Sequence, residues 1–418
     1  MHDFNFKKGE LYCEEMQVSR IAKKIGTPFY LYSSKTILDH FTKIKKAFAP
    51  INPIICFAMK ANDNLAVLKI LEDQGAGFDI VSLGELKKAL KVGADPKKIV
   101  FASVGKTEAE ITAAIKAGIL FFNVESLPEL DEINRIARKL NKKPKVALRI
   151  NPDVSASTHE KIATGTLKKK FGIDLATARK IMKSRHRYAH VRFAGLHVHI
   201  GSQITTAKPF MNAIKKVIDF LKVLRALDGI ELEYLDIGGG LGIIYKDETP
   251  QTAQDFANAI LPYLKQTRLK IVMEPGRFIV GNAGIFVTKV LYLKDNGVKK
   301  FAIVDGGMND LIRPALYDAY HEIALLKKRN GKKEKVDVVG PICESGDFFA
   351  KDRLLPQLKK DDLLAIMSAG AYGYVMASNY NVRGRPPEVI VKGRRFGITK
   401  QRETFNDLMR GESIPKFL

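Results

Sequence analysis

In the stretch Ile54-Ile55-Cys56-Phe57-Ala58-Met59-Lys60-Ala61-Asn62, the apolar run Ile54–Lys60 ends abruptly in a lysine. Consecutive apolar residues, without the alternation of a half-solvated strand, mark a strand buried on both faces. Seven similar runs follow: Gly77–Ser82, Lys98–Ser103, Leu120–Glu125, Lys145–Asn151, Phe193–Gly201, Leu232–Gly238 and Lys270–Glu274. Helical patterns fill the intervals. Asn64–Gln74 carries Leu65, Leu68 and Leu71 at helical spacing, and Ala207–Leu227 is a second such stretch. Repeated strand-helix units with apolar strands predict a parallel sheet covered by helices. Eight strands in about 225 residues fit a (β/α)8 barrel better than an open, doubly wound sheet.

Beyond residue 279 the texture changes. Ala283–Leu293, Lys300–Val304, Val336–Val339, Leu363–Ala369 and Glu388–Val391 alternate or are β-branched, with Gly and Pro between them. This predicts a mainly β domain. The chain shows no internal repeat and no low-complexity segment.

Composition narrows the class. Of 418 residues, 46% are hydrophobic and 27% charged, which excludes a disordered chain. Cys13, Cys56 and Cys343 are too few and too far apart for a disulfide framework or a zinc ribbon, so a reducing compartment is expected. The opening MHDFNFKKGELYCEE has no apolar core of a signal peptide, and no run approaches the ~18 apolar residues of a membrane helix. A cytoplasmic location is the expectation. Lys plus Arg number 69 against 45 Asp plus Glu, a net +24. Such an excess can serve nucleic-acid binding. Here the basic residues are spread along the chain, the longest run is Lys168-Lys169-Lys170, and no zinc-finger or RNA-binding motif accompanies them. An anionic substrate or cofactor accounts for part of the charge.

In a barrel the functional groups belong at the C-terminal strand ends. Six of the eight runs end in polar or unusual residues: Met59-Lys60-Ala61-Asn62, Phe78-Asp79, Arg149-Ile150-Asn151, His197 through Gln203, Asp236-Ile237-Gly238-Gly239-Gly240, and Glu274-Pro275-Gly276-Arg277. Each admits two readings. Lys60 is a snorkelling strand-end lysine or a Schiff-base lysine. The glycines at 238–240 make a tight turn or cradle a phosphate, and they follow the seventh strand, where barrels place phosphates. His197 and His199 bind a metal or stack on a flat cofactor; no completing ligand set stands out, and no metal is expected. Glu274 pairs with Arg277 or holds a ring nitrogen in its protonated form. Cys343, in Gly340-Pro341-Ile342-Cys343-Glu344-Ser345-Gly346-Asp347, is a small core residue or a reactive thiol. Tyr372, in Gly370-Ala371-Tyr372-Gly373, packs in a turn or meets a phosphate.

Taken in order, these motifs resemble the fold-type III pyridoxal-phosphate decarboxylases over nearly the whole chain. The resemblance implies an alanine-racemase-like barrel over residues 26–278. It also implies a discontinuous, mainly antiparallel β domain built from residues 1–25 and 279–418. Pyridoxal 5'-phosphate is the implied cofactor. Lys60 would carry it, His199 would stack on its ring, Asp79 would lie nearby and Glu274 would pair with its nitrogen. Ser202, Gly238, Gly239, Gly240, Gly276, Arg277 and Tyr372 would hold its phosphate. Arg277, Arg313, Tyr317 and Tyr372 would bind substrate carboxylate, Glu344 the distal ammonium. Cys343 would be the general acid, in competition with Lys60. Cys343 and Glu344 would reach a neighbouring subunit's site, which implies a homodimer.

For the substrate, the resemblance implies meso-2,6-diaminopimelate, converted to L-lysine and carbon dioxide. Its far end carries both charges, which suits arginines and Glu344 together. The alternative is an ornithine, arginine or carboxynorspermidine-type decarboxylase of polyamine synthesis. The match of Thr164-Gly165 and Lys170-Phe171-Gly172-Ile173 favours the diaminopimelate branch.

Overall fold

The structure is a computed structural model that describes residues 2–154 and 170–418. Thr164, Gly165 and most of the Lys168-Lys169-Lys170 run lie outside the described residues. The chain divides into two compact units, one of Leu38–Ile244 with Glu248–Ile279, the other of Met1–Ile37, Tyr245–Asp247 and Val280–Leu418.

The first unit is a closed barrel. Its parallel strands, among the described residues, are Ile54–Ala58, Gly77–Ile80, Ile99–Ala102, Phe121–Val124, Lys145–Arg149, Arg192–His197, Tyr234–Asp236 and Lys270–Met273. They lie in chain order, and Val272 and Met273 of the last pair with Ile54 and Ile55 of the first. All eight runs expected from sequence are strands. All eight end sooner than expected; Lys60, Asn151, His199 and Glu274, for instance, lie past the last ladder pairing, where the backbone turns. Cys56 is buried in the barrel core with Val100, Phe121, Ala147 and Val272.

Several of the helices between strands are started by side-chain caps, whereas Lys208–Asp228 has none. Asn64 accepts from the Ala66 N–H, Ser82 from Glu85 and Asp174 from Thr177. Thr107 with Glu110 and Thr252 with Asp255 form capping boxes. Each cap satisfies backbone donors that would otherwise be orphaned. The loops leading from the strands into these helices therefore end at fixed points.

The second unit is mainly β. Its long path runs Phe348–Pro356, Lys333–Val339, Lys300–Val304, Gly284–Asp295, Phe29–Ser33, Glu388–Lys392 and Arg395–Lys400. Leu363–Ile366 also pairs with Gly284–Asp295, and with Ile323–Leu325. Most pairings are antiparallel. Phe29–Ser33 with Glu388–Lys392, and Lys300–Val304 with Lys333–Val339, are parallel. The N-terminal strands Phe4–Lys7, Glu10–Cys13 and Met16–Gln17 form a small sheet whose Phe4, Leu11 and Cys13 pack with Ile285, Val287, Val389 and Val391. The N-terminal share of this unit extends past residue 25, because Phe29–Ser33 is fully buried as a central strand of its sheet. No helix among the described residues is long and apolar enough to cross a membrane.

Candidate active site

At the C-terminal end of the barrel, Lys60 sits in a tight turn, Met59–Ala61, directly after the first strand. Its Nζ lies 2.6 Å from Asp79 Oδ2 on the second strand. Asp79 is wholly buried, and desolvation, with the charge of Glu274 adding, pushes its carboxyl up to about 8 despite Lys60. An acid poised there exchanges a proton with an amine near neutral pH.

Glu274 follows the eighth strand and is buried. Its Oε1 accepts from Asn123 Nδ2 at 3.1 Å, and the same amide reaches Asp236 Oδ2 at 3.3 Å. Its Oε2 makes no hydrogen bond; His197 Nε2 lies 3.4 Å away. Burial alone would raise Glu274, but His197, Lys60 and His199 outweigh it and hold the carboxyl below the usual range. Asp236 is pushed well up by burial and by the negative charge of Glu274. Two buried carboxyls this close do not both ionise. Of the two, Glu274 is the more acidic. His197, Asp236 and Glu274 offer ligand atoms within 4.8 Å of one another, a grouping that the sequence reading did not foresee. Asn123 donates to two of its members, Glu274 and Asp236.

His199 lies beyond the sixth strand, so it does not share a strand face with His197. Its Nδ1 accepts from the Gly239 N–H at 3.2 Å. Desolvation, with Arg149 and Lys60 adding, pushes its pKa well down, so the ring is neutral. A neutral imidazole fixed at one nitrogen is suited to lie against a flat ring.

The glycines after the seventh strand are required by close approach. A Cβ on Gly238 would stand 2.6 Å from Val198 O; on Gly239 it would strike Glu274 O, and on Gly240 Gly201 O. Gly238 and Gly240 also have φ of +67° and +107°. Gln203 pins this loop: its Nε2 donates to Ile243 O at 2.7 Å and its Oε1 accepts from the Ile243 N–H at 3.1 Å. Ser202 Oγ accepts from Arg277 Nη2 at 3.3 Å. A Cβ on Gly276 would press on Ala58 and Ala61, so this glycine lets the turns after the first and eighth strands approach.

The second unit holds the other candidates. Arg313 opens the short helix Arg313–Tyr317, which sets Tyr317 one turn further on. The Arg313 guanidinium lies 4.6 Å over the Tyr245 ring, and its Nη1 is 2.9 Å from His321 Nε2. His321 Nδ1 donates to Met367 O, which makes Nε2 the acceptor from Arg313. Cys343 and Glu344 are exposed on a loop of this unit, and Tyr372 is half-buried with φ +56°. Cys13 and Cys56 are buried, free thiols.

Asn123, Asp236, Gln203, Tyr245 and His321 received no role from sequence. Asn123 was findable as the one amide inside the apolar run Phe121–Val124. The others are recognisable only by their partners.

The donor set fits an anionic, aromatic cofactor with a basic nitrogen. It offers a lysine beside a proton acceptor, a buried carboxylate oxygen without a hydrogen bond, a neutral imidazole and a close-packed glycine loop. The family described as "Pyridoxal-dependent decarboxylase, pyridoxal binding domain" matches residues 34–281. The chain belongs to the pyridoxal-dependent decarboxylases. Relatives that match it over nearly the whole chain include diaminopimelate decarboxylases. That of Aquifex aeolicus is 47% identical over 402 residues, 96% of this chain and 95% of its own. The solved enzyme of M. jannaschii in complex with L-lysine has a TM-score of 0.94 at 40% identity and covers 100% of both chains. That of Helicobacter pylori, complexed with L-lysine, gives 0.90 at 42% identity over 94% of this chain and 98% of its own.

Proposed function

We propose that this protein decarboxylates meso-2,6-diaminopimelate to L-lysine and carbon dioxide with pyridoxal 5'-phosphate. The observation that carries the reading is the likeness to diaminopimelate decarboxylases across both units, at 47% identity over 96% of the chain. Lys60 would hold the cofactor at its aldehyde carbon, and Glu274 would face its ring nitrogen. His199 would lie on the ring, with Asp79 close by. Gly238, Gly239, Gly240, Ser202, Gly276, Arg277 and Tyr372 would hold the phosphate. When bound, the cofactor accepts the electron pair left on the α-carbon as carbon dioxide departs.

The chain's own residues supply the rest. Asp79 Oδ2 takes a proton from Lys60 Nζ and frees the amine as a nucleophile. Glu274, kept ionised, holds a proton on a basic nitrogen by a charge-assisted hydrogen bond. Arg277, Arg313, Tyr317 and Tyr372 bind carboxylate, the arginines through their planar forks. Glu344 takes the distal ammonium. Cys343 delivers the proton to the α-carbon, with Lys60 as its competitor. The reading includes a homodimer in which Cys343 and Glu344 serve the partner copy's site, and a cytoplasmic location. Nucleic acid is not among its partners.

The test is carbon dioxide release from meso-diaminopimelate, ornithine, arginine and lysine with added pyridoxal phosphate. Release from diaminopimelate alone is expected. Release from ornithine or arginine instead would move the function to polyamine synthesis and require a new role for Glu344.

A further inference from the structure

The loop carrying Cys343 and Glu344 is held on its inner side by Asp347. That carboxylate accepts from the Ile342 N–H at 2.7 Å and the Met308 N–H at 2.6 Å. The far side is held differently, by the turn Tyr380–Val382. Asn381 Oδ1 accepts from the Cys343 N–H at 2.9 Å, and Tyr380 Oη donates to Glu344 Oε2 at 3.3 Å.

The turn itself is strained. Asn381 and Val382 have φ of +55° and +56°. Asn tolerates the left-handed region, but a β-branched valine there is an outlier. Burial does not compensate, since Val382 is 67% exposed. The flanks hold the strain in place. Asn379 Nδ2 donates to Glu403 Oε2 at 2.6 Å and to Arg383 O at 3.0 Å. Glu403 also accepts from the Arg385 N–H and guanidinium at 2.8 and 2.9 Å. Backbone strain sustained by its surroundings and spent on a two-residue contact points to positioning.

We propose that the Tyr380–Val382 turn is a positioning device that fixes Cys343 and Glu344 relative to each other, and that Tyr380 sets substrate specificity by aiming the Glu344 carboxylate. This rests on the roles given to Cys343 and Glu344 above. Asn381 acts on the backbone of the proton donor, Tyr380 on the group that takes the distal ammonium.

The experiment uses the holoenzyme and two readouts. Cys343 is the exposed thiol while Cys13 and Cys56 are buried, so the rate of iodoacetamide alkylation reports on Cys343. Asn381→Leu keeps the size and removes the acceptor. Its alkylation rate should rise about threefold or more, as loss of one hydrogen bond allows, with the far-ultraviolet circular dichroism of the parent. Asn381→Asp retains an acceptor oxygen and should keep the parent rate. Val382→Pro, whose φ is fixed near about −65° and which also loses the N–H that Val382 donates to Asn379 O, should match Asn381→Leu without touching the acceptor. Tyr380→Phe should raise KM for diaminopimelate about threefold with kcat held. Parent alkylation in Asn381→Leu together with parent KM in Tyr380→Phe overturns the proposal, as does an equal effect in Asn381→Asp. If the parent enzyme does not act on diaminopimelate, the substrate reading fails while the alkylation rates still decide the role of the turn.

Discussion

At the residue scale, the chemistry rests on how few buried atoms share their partners. Asn123 divides one amide group between Glu274 and Asp236. Removing it leaves both carboxyls buried with one donor fewer, and a hydrogen bond to a charged group is worth about 1.5–3 kcal/mol. Asn123→Leu should weaken pyridoxal-phosphate binding by about tenfold or more, measured by titrating the cofactor into the stripped protein. Parent affinity would show that Glu274 needs no help from the fourth strand. Lys60→Ala should lose all turnover and the visible absorbance that borohydride bleaches in the parent. Residual turnover at the parent rate would exclude Lys60 as the anchor.

At the element scale, the barrel was legible and its rim only partly so. Strands such as Ile54–Ala58 and Ile99–Ala102 read directly from sequence, because burial on both faces leaves no polar position to blur the run. The β unit was harder. Phe348–Pro356 carries Lys351, Asp352 and Arg353 in its middle, with Asp352 at φ +47° and shifts in its register, so no clean alternation survives. Phe29–Ser33 runs straight into the helix Ser34–Ala47, and its strand pairs come from residues far along the chain. The positions of Lys60, Glu274 and the glycines could be anticipated because barrel chemistry gathers at strand ends. The roles of Asp236, Gln203 and His321 could not, since they lie in contacts between separate segments. The glycine loop yields a test at this scale. Gly239→Ala drives a methyl into Glu274 O and must part the turns after the seventh and eighth strands. Cofactor affinity should fall about tenfold or more while the far-ultraviolet circular dichroism holds. An alanine variant with full affinity would mean that the two turns yield freely.

At the scale of the whole molecule, buried acids shape the response to pH. Asp79 is raised to about 8, and Glu85 and Asp310 to about 7, each chiefly by desolvation. In the unfolded chain these groups titrate near about 4. Between the two values the native state binds more protons than the unfolded state, so stability falls as pH rises. His197 and His199 act oppositely, but only below their unfolded value of about 6.5. The cofactor-free protein should therefore lose melting temperature from about pH 6.5 to 8, and Asp79→Asn should flatten the slope. A melting temperature that climbs over this range would contradict the raised titration of Asp79. The proposed homodimer makes a separate forecast. Mixed Lys60→Ala and Cys343→Ala subunits should recover part of the activity that each lacks alone, by forming one intact site per hybrid. No recovery, with exchange verified by mass spectrometry, would mean that each site is built from one chain.

The pairing of Phe29–Ser33 with both Gly284–Val287 and Glu388–Val391 also bears on how the protein is made. A ribosome delivers the chain from its N-terminus, so this strand emerges early and waits with both edges open. Its first partner appears only after the whole barrel has been translated, its second near the end of synthesis. The barrel can close meanwhile, since its last strand precedes residue 279. An exposed edge of Phe, Tyr and Leu is a template for association with another nascent chain. The nascent polypeptide is thus an expected client of holding chaperones until its last strands arrive.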